Sequence, residues 1–161
     1  MTSFPPAVMT AVVLTVATVE PQTRPDFSGT WTMDRERSES VHQAETFEPP
    51  TVVITQSEAE IAIETRRAAS TARTTYRIAT GERPADGAGT GGARAFWDGA
   101  TLVTEAARTV QGQTVSVRER RTLDAGGAEM TVQTVLVVQH GYSMRGGRNY
   151  GAATDVYRRT P

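Results

Sequence analysis

Phe27-Ser28-Gly29-Thr30-Trp31-Thr32-Met33-Asp34 is the stretch that decides the fold. In an extended chain successive side chains point to opposite faces. Phe27, Gly29, Trp31 and Met33 therefore share one face, and Ser28, Thr30, Thr32 and Asp34 the other, which is the pattern of a half-buried strand. A glycine inside a strand beside a tryptophan predicts a close backbone approach, with the indole covering the gap.

Working outward from that strand, the chain from residue 51 reads as consecutive hairpins. Val52 and Ile54 alternate into a turn at Ser57-Glu58, and Ile61 and Ile63 alternate out of it. A two-residue loop there pairs Ile54 with Ile61 and Val52 with Ile63. Asp98-Gly99 is a strong hairpin signal and pairs Trp97 with Ala100 and Ala95 with Leu102. Gln111-Gly112 sets Leu102 opposite Arg121, Thr104 opposite Glu119 and Ala106 opposite Val117. A turn at Asp124-Ala125-Gly126-Gly127 sets Glu119 opposite Val132, Val117 opposite Thr134 and Val115 opposite Leu136. These turns place Trp97, Leu102, Thr104, Ala106, Val115, Val117, Met130, Val132, Thr134 and Leu136 on one face. Glu105, Arg118, Arg120, Thr131 and Gln133 lie on the other, where Glu105 and Arg118 can pair across strands. A slip of one residue would invert every side chain, so the agreement fixes the faces.

Nine strands are predicted, over 27–33, 51–56, 60–66, 71–79, 93–97, 101–108, 113–123, 128–138 and 153–159. The fold class is all-β, an antiparallel up-and-down β-barrel of eight to nine strands, in which closure removes the sheet edges. Residues 35–50 form the loop across one end, with a helical turn near Ser38 to Ala44. Residues 80–92 form a glycine-rich loop. No P-loop lysine or helix start follows it, so it has no phosphate-binding character.

Gly29-Thr30-Trp31 on a first strand resembles the Gly-x-Trp signature of the lipocalin and fatty-acid-binding-protein (calycin) superfamily. The longer Phe-Ser-Gly-Thr-Trp run, with Asp34 and Ser38 after it, resembles small exported bacterial lipocalin-like proteins. The resemblance implies that Trp31 packs at the closed end of the barrel against an arginine from a late strand, Arg158 or Arg159. The later motifs of the family are not present, so the resemblance leaves the ligand class open.

Composition narrows the function. The chain has 161 residues, 38% hydrophobic, with 14 glycines and a net charge of −1. That length suits one domain, and the charge gives no nucleic-acid footprint. There is no cysteine, which removes disulfides, thiolate catalysis and Cys-based metal sites. The two histidines cannot by themselves build a three-His zinc site. Ser143 lies near His140 but has no Gly-x-Ser-x-Gly elbow around it. No metal and no cofactor is expected, and no catalytic residues are assigned. Every basic side chain is arginine, as codon bias in a GC-rich genome would produce.

Residues 7–19 are an apolar block, too short to span a bilayer and suited to the h-region of a secretory signal. No Lys or Arg precedes the block, and no clean Ala-x-Ala site follows. Residues 1–25 are read as a signal peptide or N-terminal anchor plus linker, and 26–161 as the barrel domain. The expected localisation is exported, periplasmic or secreted, with no transmembrane span in the mature chain.

The expected function is to hold a small apolar or amphipathic molecule inside the barrel. A cavity enzyme, hydrolase or isomerase, and a solid-cored envelope interaction module stay open as alternatives. The register puts Glu119 and Arg121 on the otherwise apolar inner face, where a charge must be paired, neutralised or near water. The pair either closes the barrel as a structural ion pair, turns outward at a bulge, or orients a ligand's polar head. Glu119 acting as an acid or base is the enzymatic version. Tyr76, Trp97, Thr104, Glu119, Arg121 and Met130 are the candidate ligand-binding residues, and Gly29, Trp31, Arg158 and Arg159 the structural motif. The loop 139–151, with Tyr142, Arg145, Arg148 and Tyr150, is the candidate protein-partner surface, and His42 is read as solvated.

Overall fold

The computed structural model describes residues 24–42, 48–79, 92–110, 113–138 and 150–161. They form nine strands: β1 (Gly29–Met33), β2 (Thr51–Gln56), β3 (Glu60–Arg67), β4 (Ser70–Ile78), β5 (Arg94–Asp98), β6 (Thr101–Val110), β7 (Gln113–Leu123), β8 (Glu129–Val138) and β9 (Tyr150–Thr160). They follow one another round a closed barrel in chain order, and β9 returns to pair with β1. Closure buries the apolar residues that alternate with polar ones along most of the strands. β2, for instance, buries Val52 and Ile54 between more exposed neighbours.

One seam departs from the antiparallel expectation. β4 and β5 pair in parallel, through Arg77 with Arg94 and Ile78 with Ala95. A two-residue turn forces reversal, but a connection of a dozen or more residues permits a parallel return, and residues 79–93 separate these strands.

Three hairpins differ in register from the two-residue loops read in the sequence, each by a shift of two. Ile54 faces Ile63, not Ile61, and Val52 faces Thr65, not Ile63. The loop moves on to Glu58-Ala59, closed by Ser57, its N–H donating to the Glu60 carbonyl at 2.8 Å and its Oγ accepting from the Glu60 N–H at 3.0 Å. Trp97 faces Leu102, not Ala100, and Ala95 faces Thr104, not Leu102. The loop there is Gly99-Ala100 rather than Asp98-Gly99. Gly99 has φ 61 at the first loop position, where a type II′ turn takes glycine. Glu119 faces Thr134, not Val132, Val117 faces Leu136, not Thr134, and Val115 faces Val138, not Leu136. The Asp124 carboxylate accepts from the Glu129 N–H at 2.8 Å and moves that turn on by one residue too. Because each shift is two, every inward residue stays inward. The β6–β7 pairs stand as expected, Leu102 with Arg121, Thr104 with Glu119 and Ala106 with Val117.

The core gathers Phe27, Trp31, Met33, Val52, Ile54, Ile61, Ile63, Tyr76, Ile78, Ala95, Leu102, Met130, Val132 and Tyr157. Leu136, placed on the inner face, is 39% exposed, so the apolar face runs out to the rim of β8. Phe96 and Val103 pair across β5 and β6 and are buried although they point the other way, so that corner is covered on both faces.

The helical turn expected near Ser38 is a 3₁₀ turn, Glu39–His42. It is stitched to β9. The Asp34 N–H donates to the Val156 carbonyl at 2.7 Å. Ser38 Oγ accepts from the Val156 N–H at 3.0 Å, and Glu39 accepts from the Thr154 N–H at 2.7 Å. Arg37 also forks onto the Glu129 carboxylate. No helix among the described residues is long and apolar enough to cross a membrane. The apolar block 7–19, the glycine-rich loop up to residue 91, the Gln111-Gly112 turn and all but the last two residues of the 139–151 loop lie outside the described residues.

Candidate ligand-binding site

The Trp31 end of the barrel is packed solid. Trp31 is fully buried, and its Nε1–H donates to the Phe27 carbonyl at 2.9 Å. The Arg159 guanidinium lies over the indole, 4.4 Å from the ring centroid. Its Nε donates to the Gly127 carbonyl at 2.9 Å, Nη1 to the Ser28 carbonyl and Nη2 to the Asp26 carbonyl at 2.9 Å. Of the two arginines proposed for this role, Arg159 therefore takes it. Arg158 points outward and pairs with Asp34 at 2.8 Å. Gly29 has φ 130, and a Cβ built there would sit 3.1 Å from Arg159 Nη1. The close approach foreseen at Gly29 exists, but the guanidinium makes it rather than the indole.

Above this plug the barrel is hollow. A cavity of about 500 Å³ is lined by residues that include Met33, Ile63, Tyr76, Met130, Val132 and Tyr157 on the apolar side. Its polar wall holds Glu119, Arg121, Asp155, Ser40 and Thr65, and Arg67 stands exposed beside them. That volume lies within the range of small-molecule sites, which are concave and carry a few polar groups that fix orientation.

Glu119 and Arg121 both point inward, so no bulge turns them out. Arg121 is 4% exposed. Its Nη2 donates to Glu119 Oε2 at 2.7 Å and its Nη1 to Thr104 Oγ1 at 2.7 Å. Its Nε is buried with no hydrogen-bond partner. A buried N–H left unmade carries a desolvation cost of about 1–3 kcal/mol. Glu119 and Thr104 thus fix two of the three arginine nitrogens, and the third is left without a bond.

Of the other residues expected at the site, Tyr76 and Met130 line the cavity. Thr104 is reached through Arg121 and holds the guanidinium in place. Trp97 lies elsewhere, with its ring centroid 6.1 Å from that of Phe27 and Arg24 over its face at 5.7 Å. It borders an open cleft with Asp26, Gln56 and Glu58. Its indole Nε1 is also buried without a partner. His42 ends the 3₁₀ turn and is exposed.

The sequence reading did not single out Asp155, Tyr157 and Ser40. The signal for two of them was present. Once Arg159 is placed on the inner face, period two puts Tyr157 and Asp155 there as well. Ser40 comes from an irregular turn that no periodicity announces. Burial, and then the negative charge of Asp155, push the Tyr157 phenol well above its ordinary range, so it stays neutral. Among the described residues, no group of three or more His, Cys, Asp or Glu is gathered as a metal site.

No protein-family model matches the chain. No curated protein matches it in sequence. Among solved structures it is similar to the wild-type fluorescent protein UnaG, at 16% identity and TM-score 0.47, over 83% of this chain and 97% of that one. A point mutant of UnaG is similar at the same identity and score, over 84% and 96%. A likeness that distant says nothing of what this chain binds. The closed barrel, with Gly29-Thr30-Trp31 on β1 beneath an arginine of β9, has the arrangement that the Gly-x-Trp resemblance implied.

Proposed function

We propose that this protein is an exported lipocalin-like carrier that holds a small amphipathic molecule inside its barrel, with the molecule's polar end toward Arg121. The observation that supports the reading most is the unpartnered Nε of Arg121, a residue only 4% exposed, in the wall of a cavity of about 500 Å³. A purely structural ion pair would be expected to use its last donor on a backbone carbonyl, as Arg159 does. The apolar remainder of the wall, with Met33, Ile63, Met130 and Val132, suits the apolar part of such a molecule. Export rests on the apolar block at 7–19.

Protein purified from its native host and examined by native mass spectrometry is expected to carry a small molecule. The double variant Glu119→Gln, Arg121→Met removes both charges together, so no lone charge is left buried, and its circular dichroism is expected to match wild type. It is expected to arrive empty. Full retention of the molecule by the folded double variant would place the site elsewhere. In the same preparation, N-terminal sequencing is expected to find a start between about Val19 and Asp26. An intact Met1 in a cytoplasmic fraction would remove export from the proposal.

A further inference from the structure

Asp155 is a charged group inside the barrel with no opposite charge set against it. It is 6% exposed. Ser40 donates to it twice, from N–H at 3.0 Å and from Oγ at 2.6 Å. None of the ion pairs among the described residues includes it. The other charged groups on the cavity wall make no ion pair with it. Glu119 and Arg121 are matched to each other at 2.7 Å, and Arg67 is exposed to solvent. Asp155 is therefore the one buried charge on this wall with no ion-pair partner among the described residues. Two neutral donors satisfy part of a carboxylate's hydrogen-bonding capacity but not its charge, and buried charges in proteins are normally paired.

Building on the proposed binding function, we infer that the cavity selects an amphipathic amine, whose protonated nitrogen is set against Asp155 and whose acceptor oxygen lies toward Arg121. The register gives the spacing. Arg121 pairs with Val132 on β8, and Val132 with Asp155 on β9, so the two anchors stand in one row, two strand spacings or roughly 10 Å apart at the backbone. Tyr76 and Tyr157 line the same space and supply ring faces that attract a cation. A fatty-acid carboxylate fits this wall poorly. Inside the barrel its charge would compete with Glu119 for a guanidinium already paired and would stand beside Asp155, and the remaining cation on the wall, Arg67, is in solvent.

The test uses the full chain near pH 7 and the neutral apolar dye Nile red, whose fluorescence reports occupancy of the interior. The dye is displaced in turn by decylamine, decanoate and decanol, which share a chain length and differ in head-group charge. Decylamine is expected to displace the dye at a concentration at least about tenfold below that of decanoate. In Asp155→Asn the two are expected to fall within about threefold of each other. Decanoate displacing the dye as well as decylamine, or an undiminished preference in Asp155→Asn, would overturn the amine inference while leaving a binding cavity. Failure of Nile red to bind at all would overturn the cavity reading beneath it. If Asp155→Asn does not fold, the wild-type series still decides.

Discussion

Arg159 and Arg121 both project into the barrel, and the more deeply buried of the two is the less completely bonded. Arg159 has all three nitrogens on backbone carbonyls and its flat face on Trp31. Arg121 has two nitrogens on side chains and one on nothing. Backbone acceptors are fixed in place, so Arg159 ties the segment before β1, the β7–β8 turn and β9 into one piece. Side-chain acceptors can turn, so Glu119 and Thr104 hold Arg121 without consuming it. The first arginine closes the fold and the second furnishes a wall. If that contrast is right, damage at the Trp31 end should cost stability, and damage at the cavity should cost ligand.

The largest effect is expected at Trp31. Removing a fully buried indole leaves a cavity and removes the surface on which Arg159 stacks, a loss of about 3–5 kcal/mol. Trp31→Ala should therefore be unfolded or nearly so by near-ultraviolet circular dichroism. A wild-type melting temperature in this variant would show that the plug does not hold the barrel shut.

Arg159→Met comes next. It gives up charge-assisted bonds to three carbonyls and the cation–π contact, and about 2–4 kcal/mol is expected in urea unfolding. The Glu119→Gln, Arg121→Met pair should lie within about 1 kcal/mol of wild type in the same assay. Equal losses at the two sites would erase the distinction between them.

Gly29→Ala sharpens the same point on a smaller scale. A φ of 130 is one that L-residues rarely adopt, and the new methyl would crowd Arg159, so about 1–3 kcal/mol is expected. Part of that is steric and disappears with its partner. The double variant Gly29→Ala, Arg159→Met should therefore lose less than the sum of the two single losses. Strict additivity would mean that only the backbone resents the substitution.

The barrel was legible in the sequence because strand faces depend on period two alone. Apolar alternation in most segments and turn residues between them gave nine strands, and each hairpin error was a shift of two that left the faces unchanged. What the sequence concealed was local. Ser57 and Asp124 bond across their own turns, each displacing its turn by one residue, which no apolar pattern reports. The parallel seam at β4–β5 arises after a long connection, where hairpin logic does not apply. The ion pair of Glu119 and Arg121 could be placed because two residues on one strand share a face. Asp155 was hidden by a different cause, since its meaning depends on Ser40, which reaches it from a segment more than a hundred positions away and outside any strand.

The smallest effect tests the outer surface, where charges are satisfied and the contrast with the cavity is greatest. Glu105 takes Arg118 Nε on one oxygen at 2.6 Å and Arg94 Nε on the other at 2.6 Å. Burial alone would raise its carboxyl, but the hydrogen bonds from Arg94 and Arg118 outweigh that and hold it below the ordinary 4.5. A carboxyl depressed in the folded state binds protons more readily when unfolded. Its stabilisation is therefore present above about pH 4.5 and is lost as pH falls through the lower folded value. Melting temperatures from about pH 6 to pH 3 should fall more steeply for wild type than for Glu105→Gln, which has no proton to take up at this position. At the upper end wild type should hold only a modest advantage, because a partly exposed ion pair is screened by water, and the two should converge toward pH 3, where the carboxyl is protonated. Parallel curves would show that this ladder of three charges carries no pH-dependent stability. A steeper fall in Glu105→Gln would reverse the sign of the argument.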